Sequence, residues 1–358
     1  MSKPINIAIL GTGMIVQRAH LPAVLNHPKA RLAALHGRQG ESAQRLHALS
    51  GGAPLLHDLD AVFGLPDLDA VIIALPNFMH AQAASMAAER KQAVLCEKPL
   101  ATTISDARAM VASIRATGRP FGVSLPQRHR PSLRKLRDLQ ASGFFGDLLS
   151  IDIRMIRRSG IPGIGSWFTR KAQSGGGVLA DLGPHVLDLA LWLLGSNEVA
   201  NLSAMTCSAH GPRGLGLGDW GRHRDGASEG AFDVEDEASV AWRSGTGTRI
   251  RCDLAWATFG PDENRIRIVG TRGGADYWPE ADPANPLTLY SYDTDGRVAD
   301  ERDSASPDHD DLGPAWRSCV DDFIASVADG RLPAATGQDA LVVAEIIERA
   351  YRLAENQA

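Results

Sequence analysis

Two short stretches carry residue types that can move a proton. The first is Val94-Leu95-Cys96-Glu97-Lys98-Pro99, an apolar run ending in a carboxylate, an ammonium and a proline. With Ala93–Cys96 as a buried strand, Lys98 stands at its carboxyl end, where open α/β sheets hold their ligands. An amine there is partly desolvated beside Glu97, and lysine is the cation whose pKa moves most readily on burial. The plain alternative is a solvated lysine in a strand-to-helix turn. The second stretch is Gly175-Gly176-Gly177-Val178-Leu179-Ala180-Asp181-Leu182-Gly183-Pro184-His185-Val186-Leu187-Asp188. Three glycines in a row let another backbone or a ligand come close. On the following helix Asp181, His185 and Asp188 fall at i, i+4 and i+7, so they share a face. Asp181 can then hold one nitrogen of His185 while the other meets a substrate, the usual way to fix a catalytic imidazole. A hydrogen-bonded core histidine and a metal site are the competing readings. Asp188 lies almost two turns from Asp181, and no metal is expected. Gly183-Pro184 should kink the helix beside His185.

These groups need a scaffold, and the first third of the chain reads as βαβ units. Ile5–Leu10 is a short apolar strand, followed at once by Gly11-Thr12-Gly13-Met14-Ile15-Val16 and a helical stretch to about Asn26. Gly11 allows a tight turn, and Gly13 lets the backbone approach a pyrophosphate. The helix opening at Met14 and Ile15 offers its amides and dipole to that anion. Val16 replaces the third glycine, so the helix should pack less closely on its strand. The second strand, 31–36, ends in His36-Gly37-Arg38, with no acidic residue for a ribose 2′-hydroxyl. Gly37 leaves space for a 2′-phosphate and Arg38 supplies a planar fork to hold it. The expected cofactor is therefore NADP(H), with NAD possible and a surface arginine the bland alternative.

A third strand is expected over 54–57 and a central one over 68–75. Pro76-Asn77-Phe78-Met79-His80 follows, and Asn77 suits either the N-cap of a helix reaching residue 90 or the cofactor ribose. A helix over 103–117 and a strand over 120–125 complete a doubly wound parallel sheet.

Past residue 145 the rhythm changes. Ile151, Ile153 and Met155 alternate with Asp152 and Arg154, and Ala238, Val240 and Trp242 alternate likewise. So do Ile250, Cys252, Leu254 and Trp256 against Arg249, Arg251 and Asp253, with Ile266 and Ile268 after them. Period two predicts an antiparallel sheet with one buried face. Its polar face meets solvent or a second subunit. The Gly-rich, charged loop 210–231 is long enough to act as a substrate lid. Helices over 314–328 and 338–356 close the chain.

Whole-chain properties bound the rest. At 358 residues, two domains are expected, divided as 1–125 and 126–358 with the last helices packing back on the first. The net charge of -5 gives no footprint for nucleic acid or an anionic membrane. No apolar run is long enough for a membrane span. Met-Ser-Lys-Pro leads straight into a strand, leaving no room for a signal peptide. Cys96, Cys207, Cys252 and Cys319 form no Cys-x-x-Cys pair, which suits reduced thiols in a cytoplasmic protein.

Taken together, the Gly-x-Gly start, Pro76-Asn77-x-x-His80, Glu97-Lys98-Pro99 and Gly-Gly-Gly-x-Leu-x-Asp181-x-Gly-x-His185 resemble the Gfo/Idh/MocA family of sugar and inositol dehydrogenases. The late Val234-Glu235-Asp236 and Gly270-Thr271-Arg272-Gly273-Gly274 stretches extend the likeness over nearly the whole chain. The resemblance implies an N-terminal Rossmann domain and a C-terminal α/β domain with a large, mostly antiparallel open sheet. It also implies a homodimer or homotetramer through that sheet. It implies Lys98, Asp181 and His185 as the catalytic group, with Pro76, Asn77, His80 and Glu97 at the cofactor. Val16 and Pro184 depart from the family's pattern.

The activity implied is hydride transfer between NADP(H) and a hydroxyl or keto carbon of a sugar, sugar derivative or cyclitol. Lys98 and His185 would handle the proton, and the residue types do not decide which of them transfers it. Arg128 and His129, after the sixth strand, are further pocket candidates. So is the Trp167-Phe168 pair with Arg170 and Lys171, since an aromatic platform suits a sugar ring. A nicotinamide-dependent glycosidase acting by transient oxidation and a non-catalytic NAD(P)-binding regulator are the alternatives. Intact Lys98, Asp181 and His185 argue against the regulator.

Overall fold

Short apolar runs bounded by glycine, proline and polar residues become the first sheet. Its strands are β1 (Ile5–Leu10), β2 (Ala30–His36), β3 (Leu55–Leu56), β4 (Ala70–Ile73), β5 (Ala93–Cys96) and β6 (Phe121–Val123). The computed structural model describes residues 3–218, 232–303 and 313–356. All neighbours in this sheet are parallel, in the order β3-β2-β1-β4-β5-β6. Strands β1, β4 and β5 are buried at every position, as expected of strands covered on both faces. Ala8, Leu10, Val71, Ile73, Val94 and Cys96 join one apolar cluster, while Ile7, Ile9, Ala70, Ile72, Ala93 and Leu95 join the other. That division is the period-two alternation of a strand. The chain order reverses between β1 and β4, which opens the crevice where such sheets take ligands.

Helices cover both faces. Thr103 caps Ile104–Thr117 by accepting from the Asp106 amide at 3.1 Å, and Gly118 ends it in the left-handed region. Among the helices serving this unit is one from far along the sequence. Gly313–Asp329 buries Val320, Phe323 and Ile324 in the cluster that holds Ile7, Ile9 and Leu95. The first unit accordingly comprises Met1–His129 and Leu312–Ala344. The central strand is shorter than the 68–75 expected, because Ala74 already belongs to the turn that meets Gly11.

The second unit comprises Arg130–Asp311 and Glu345–Ala358. Its sheet contains β7 (Leu148–Ile156), β8 (Ala200–Cys207), β9 (Glu237–Arg243), β10 (Arg249–Ala255), β11 (Glu263–Gly270), β12 (Gly273–Tyr277), β13 (Leu287–Tyr292) and β14 (Val298–Asp303). The order is β14-β13-β12-β11-β7-β10-β9-β8, antiparallel except between β7 and β10. Ile151, Ile153, Val240, Trp242, Cys252, Leu254, Ile266 and Ile268 are buried on one face, which Gly183–Leu194 covers. Arg154, Arg251 and Arg265 lie on the other, each paired with a carboxylate. Strands β13 and β14 and the helix Pro131–Ala141 carry no pattern clear enough to have been expected. Of the proposed lid 210–231, residues 219–231 lie outside the described residues. Among the described residues no single helix is long and apolar enough to cross a membrane.

Phe323 tests the contribution of the returning helix. Phe323→Ala should cost about 3–5 kcal/mol, the usual range for a fully buried phenylalanine, read as a lower midpoint in urea unfolding followed by circular dichroism.

Candidate active site

In the first unit the turn after β1 forms a cradle at the strand ends. Gly11 has φ +119°, and a Cβ there would lie 2.1 Å from the Ala74 carbonyl oxygen, so no side chain is tolerated. A Cβ on Gly13 would meet nothing within 4 Å. That open, exposed position is what a pyrophosphate needs, so the cradle fits a dinucleotide. Met14 is exposed and Ile15 half-buried where the helix opens. Val16 is fully buried, and from Val16 to His20 the helix widens into a π turn before Leu21–Asn26. Gly37 has a packing reason of its own, because a Cβ there would lie 2.2 Å from Thr12 Cγ2. Arg38 follows it, exposed, at the end of β2.

Glu97, Lys98 and Pro99 leave the end of β5, and the Lys98–Pro99 peptide bond is cis. Glu97 accepts from His20 Nε2 at 2.8 Å, with His20 fully buried and Glu97 nearly so. Burial alone would push the Glu97 carboxyl up. The hydrogen bond and charge of His20, with the Lys98 ammonium, outweigh it and hold Glu97 below the ordinary carboxylate value.

Three of the expected site residues in this unit make contacts of their own. His80, expected at the cofactor, is fully buried, with Nδ1 2.9 Å from the Pro99 carbonyl and Nε2 2.8 Å from the Leu75 carbonyl. Both ring nitrogens face backbone carbonyls, and the one that carries the proton donates to its carbonyl, so His80 braces the loops after β4 and β5. Burial lowers its pKa. Asn77 does not cap the following helix, which starts at His80 with Met79 at the cap position. Asn77 instead opens a 3₁₀ turn that Pro76 precedes. Arg128, expected at the substrate, is buried and gives Nη1 to the Ala334 carbonyl at 2.7 Å and to Asp339 at 3.4 Å. Asp339 also accepts from Thr336 at the start of the last helix, so Arg128 anchors that helix. His129 is half-buried beside it.

In the second unit Gly176 and Gly177 make way for other parts of the protein. A Cβ on Gly176 would lie 2.0 Å from the Tyr351 hydroxyl, and one on Gly177 would lie 1.8 Å from the Glu235 carbonyl oxygen. The Glu235 carboxylate accepts from the Gly177 amide at 3.0 Å, the Leu179 amide at 2.9 Å and the Tyr351 hydroxyl at 2.8 Å. Burial pushes both Glu235 and Tyr351 up, and the Glu235 charge pushes Tyr351 further. Glu235 thus seats the start of the segment that carries Asp181.

The expected single helix is two pieces, Val178–Asp181 and Gly183–Leu194. Segments Lys171–Asp181 and Gly183–Leu194 are bent by 42°. Pro184 has no N–H for the Ala180 carbonyl, so it takes a first-turn position where none is needed. The bend is where Gly183-Pro184 suggested, and Leu182 between the two pieces keeps right-handed helical backbone. Asp181 accepts from the Trp256 indole at 2.9 Å. Both Asp181 and His185 are half-buried, whereas Asp188 is buried. Trp167 is half-buried on a 3₁₀ turn and stacks on Phe168, ring centroids 3.8 Å apart, which covers one of its faces. Among the described residues no three His, Cys, Asp or Glu side chains gather as metal ligands.

Two partners, His20 and Tyr351, were not singled out from sequence, while Glu235 stood only in a family motif and Trp256 only in a strand's alternation. For His20 a signal existed, since Val16, His20 and Val24 are four residues apart and place the histidine in the helix's apolar stripe. Tyr351 had none, because only folding brings it to a glycine some 175 positions earlier.

Residues 5–125 match an oxidoreductase family with an NAD-binding Rossmann fold, and residues 133–276 match the GFO/IDH/MocA C-terminal domain. D-glucoside 3-dehydrogenase of Escherichia coli (strain K12) is 32% identical over 282 residues, 78% of each chain. Inositol 2-dehydrogenase of Rhizobium meliloti (strain 1021) is 25% identical over 97% of this chain and 96% of its own. A levoglucosan dehydrogenase solved with NADH and levoglucosan superposes with a TM-score of 0.85 at 21% identity, covering 99% of this chain and 98% of that one.

The two glycine motifs should respond oppositely to a methyl group. Gly177→Ala collides with backbone and should destabilise the fold by more than about 2 kcal/mol, while Gly13→Ala should leave the melting temperature of the ligand-free protein within a degree or two of wild type. Differential scanning calorimetry of both variants checks this.

Proposed function

The chain belongs to the Gfo/Idh/MocA family of oxidoreductases, and on that footing we propose that it exchanges a hydride between NADP(H) and a hydroxyl or keto carbon of a sugar, sugar derivative or cyclitol. It is an NAD(P)-dependent enzyme of the class acting on CH–OH groups. The observation that carries the reading is Glu97-Lys98-Pro99 at the carboxyl end of β5, in the same sheet as the Gly11–Gly13 cradle at the switch point. The relatives support the substrate class: one is named for a glucoside, another for inositol, and the solved neighbour holds levoglucosan. All three are polyhydroxylated rings.

When bound, the nicotinamide supplies the hydride exchange at the carbinol carbon. His185 takes the hydroxyl proton during oxidation and returns it during reduction. Lys98 donates a hydrogen bond to the same oxygen and stabilises its developing negative charge, while the Glu97 carboxylate keeps the amine protonated. Asp181, one oxygen held by the Trp256 indole, offers a fixed carboxylate to the imidazole. Positioned proton transfer of this kind is worth roughly 10²–10⁴ in rate. Trp167 presents an aromatic surface to the ring. The polar face of the second sheet is where a second copy would dock to make a homodimer or homotetramer.

The preference for NADP(H) rests on Arg38. No acidic residue stands at the end of β2 among His36-Gly37-Arg38-Gln39-Gly40, and the guanidinium is exposed there. The solved neighbour carries NADH, so the choice of dinucleotide turns on this residue.

Two measurements test the proposal. Lys98→Ala should lower kcat with a responsive sugar by roughly 10²–10⁴ while the dissociation constant for the dinucleotide changes less than about threefold. Retained turnover would remove Lys98 from the chemistry. In fluorescence titrations Arg38→Ala should weaken NADPH by about tenfold or more, the worth of a charge-assisted hydrogen bond, and leave NADH unchanged. Equal binding of both dinucleotides to wild type would overturn the role of Arg38.

A further inference from the structure

We propose that His20 is a positioning residue for Lys98, acting through the carboxylate of Glu97. The proposal rests on the reading of Lys98 as a catalytic group. His20 lies seven residues after Gly13, on the helix that opens from the dinucleotide cradle, and its side chain is fully buried. The π turn Val16–His20 delivers it there, with the Leu21 amide bonding back five residues to the Val16 carbonyl. An ordinary α-helical repeat would rotate the ring by about 100° per residue of offset. Single π turns of this kind recur at functional sites. The result is a 2.8 Å contact between His20 Nε2 and Glu97 Oε1, at the end of the strand that presents Lys98.

A carboxylate buried at that depth stays ionised only with a partner. The groups that face Glu97 come from four elements besides its own loop. They are His20 on the first helix, His80 on His80–Glu89, Cys96 on β5, and Cys319 on Gly313–Asp329, with Lys98 next to it in the chain. Burial raises the thiol of Cys96 and takes Cys319 to about 12, so neither bears charge near neutral pH. Burial lowers His80, whose ring nitrogens face backbone carbonyls. His20 and Lys98 remain as the charged partners of the carboxylate, with the neutral Ser124 hydroxyl beside them. Remove the His20 donor, and burial drives Glu97 toward its neutral form, which takes away the Glu97 counter-charge beside the Lys98 ammonium. The helix that begins at the dinucleotide cradle is thereby joined, through one hydrogen bond, to the amine proposed to meet the substrate.

The test compares wild type with His20→Ala, His20→Phe, Glu97→Gln and the His20→Ala/Glu97→Gln double variant. The first readout is the rate at which an amine-reactive reagent labels Lys98 at pH 8. It is measured by mass spectrometry of the Lys98 peptide, with exposed Lys91 as the internal reference. Only the neutral amine reacts, so loss of the carboxylate should raise labelling of Lys98 about three- to tenfold over Lys91. The rise is expected in both His20 variants and in Glu97→Gln, and the double variant should show no more than Glu97→Gln alone. His20→Phe keeps the ring's volume without the donor, so the pair remains testable if His20→Ala does not fold. The second readout is the pH profile of kcat/KM. Its acid limb should move to higher pH in the His20 variants, with KM for the dinucleotide within about twofold of wild type. A folded His20 variant with unchanged Lys98 labelling and an unchanged profile would overturn the proposal, as would additive effects in the double variant. Failure of the underlying reading looks different: Lys98→Ala would keep turnover, or wild type would turn over no sugar, while the labelling arm still reports on the His20–Glu97 pair.

Discussion

A parallel sheet cannot leave either face to water when every strand inside it is apolar on both sides. Strands β1, β4 and β5 are of that kind, and the rest of the first unit follows from covering them. Helices occupy both faces, so ligand access is left to the strand ends. The turns there must carry all the polarity the sheet lacks. Gly11 presses its backbone on Ala74 to make the first turn, and Glu97 and Lys98 make another. Groups placed so close to an apolar interior need partners drawn from inside the protein. His20 reaches Glu97, and His80 reaches the carbonyls of Leu75 and Pro99.

The second unit solves the same problem with different parts. Glu235 is half-buried where a helix begins, and its carboxylate meets two amides and the Tyr351 hydroxyl. Its neighbour Asp236 is fully buried and gathers the amides of Ala209, His210 and Gly211. Two adjacent carboxylates thus fix the start of the Asp181 segment and the root of the following loop. Buried acceptors of this kind are costly unless satisfied, and once satisfied they hold backbone in one arrangement.

The parts of the fold that sequence makes plain are those governed by local rules. The Gly11-Thr12-Gly13 turn, the apolar runs of β1, β4 and β5, and the alternation of β7, β9 and β10 each follow from neighbouring residues. The family was legible from motifs at the ends of β1, β4 and β5 and in the stretch from Gly175 to His185. Hidden from it were the relations that only packing creates. His80 reads as a polar residue in a site motif, yet folding turns both its nitrogens to backbone carbonyls. Arg128 reads as a pocket cation at the right sheet edge, yet it anchors residues some two hundred positions later. The glycines 175–177 read as room for another backbone or a ligand, and at Gly176 and Gly177 it is Tyr351 and the Glu235 backbone that come close. Strand β14, Val298–Asp303, is the sheet's edge strand, where half-polar sequences are tolerated, and β13, Leu287–Tyr292, lies next to it.

The helix Gly313–Asp329 gives the protein an order of assembly. Phe323 and Ile324 close a face of the first sheet, yet they are translated only after every residue of β7 to β14. At the usual pace of synthesis, the ribosome takes roughly ten to forty seconds to pass from His129 to Leu312. During that interval Ile7, Ile9 and Leu95 lack part of their cover, and the nascent first unit is exposed to chaperones and to its neighbours on the same message. Heterologous expression should therefore be more sensitive to slow codons between the two segments of this unit than to slow codons within either.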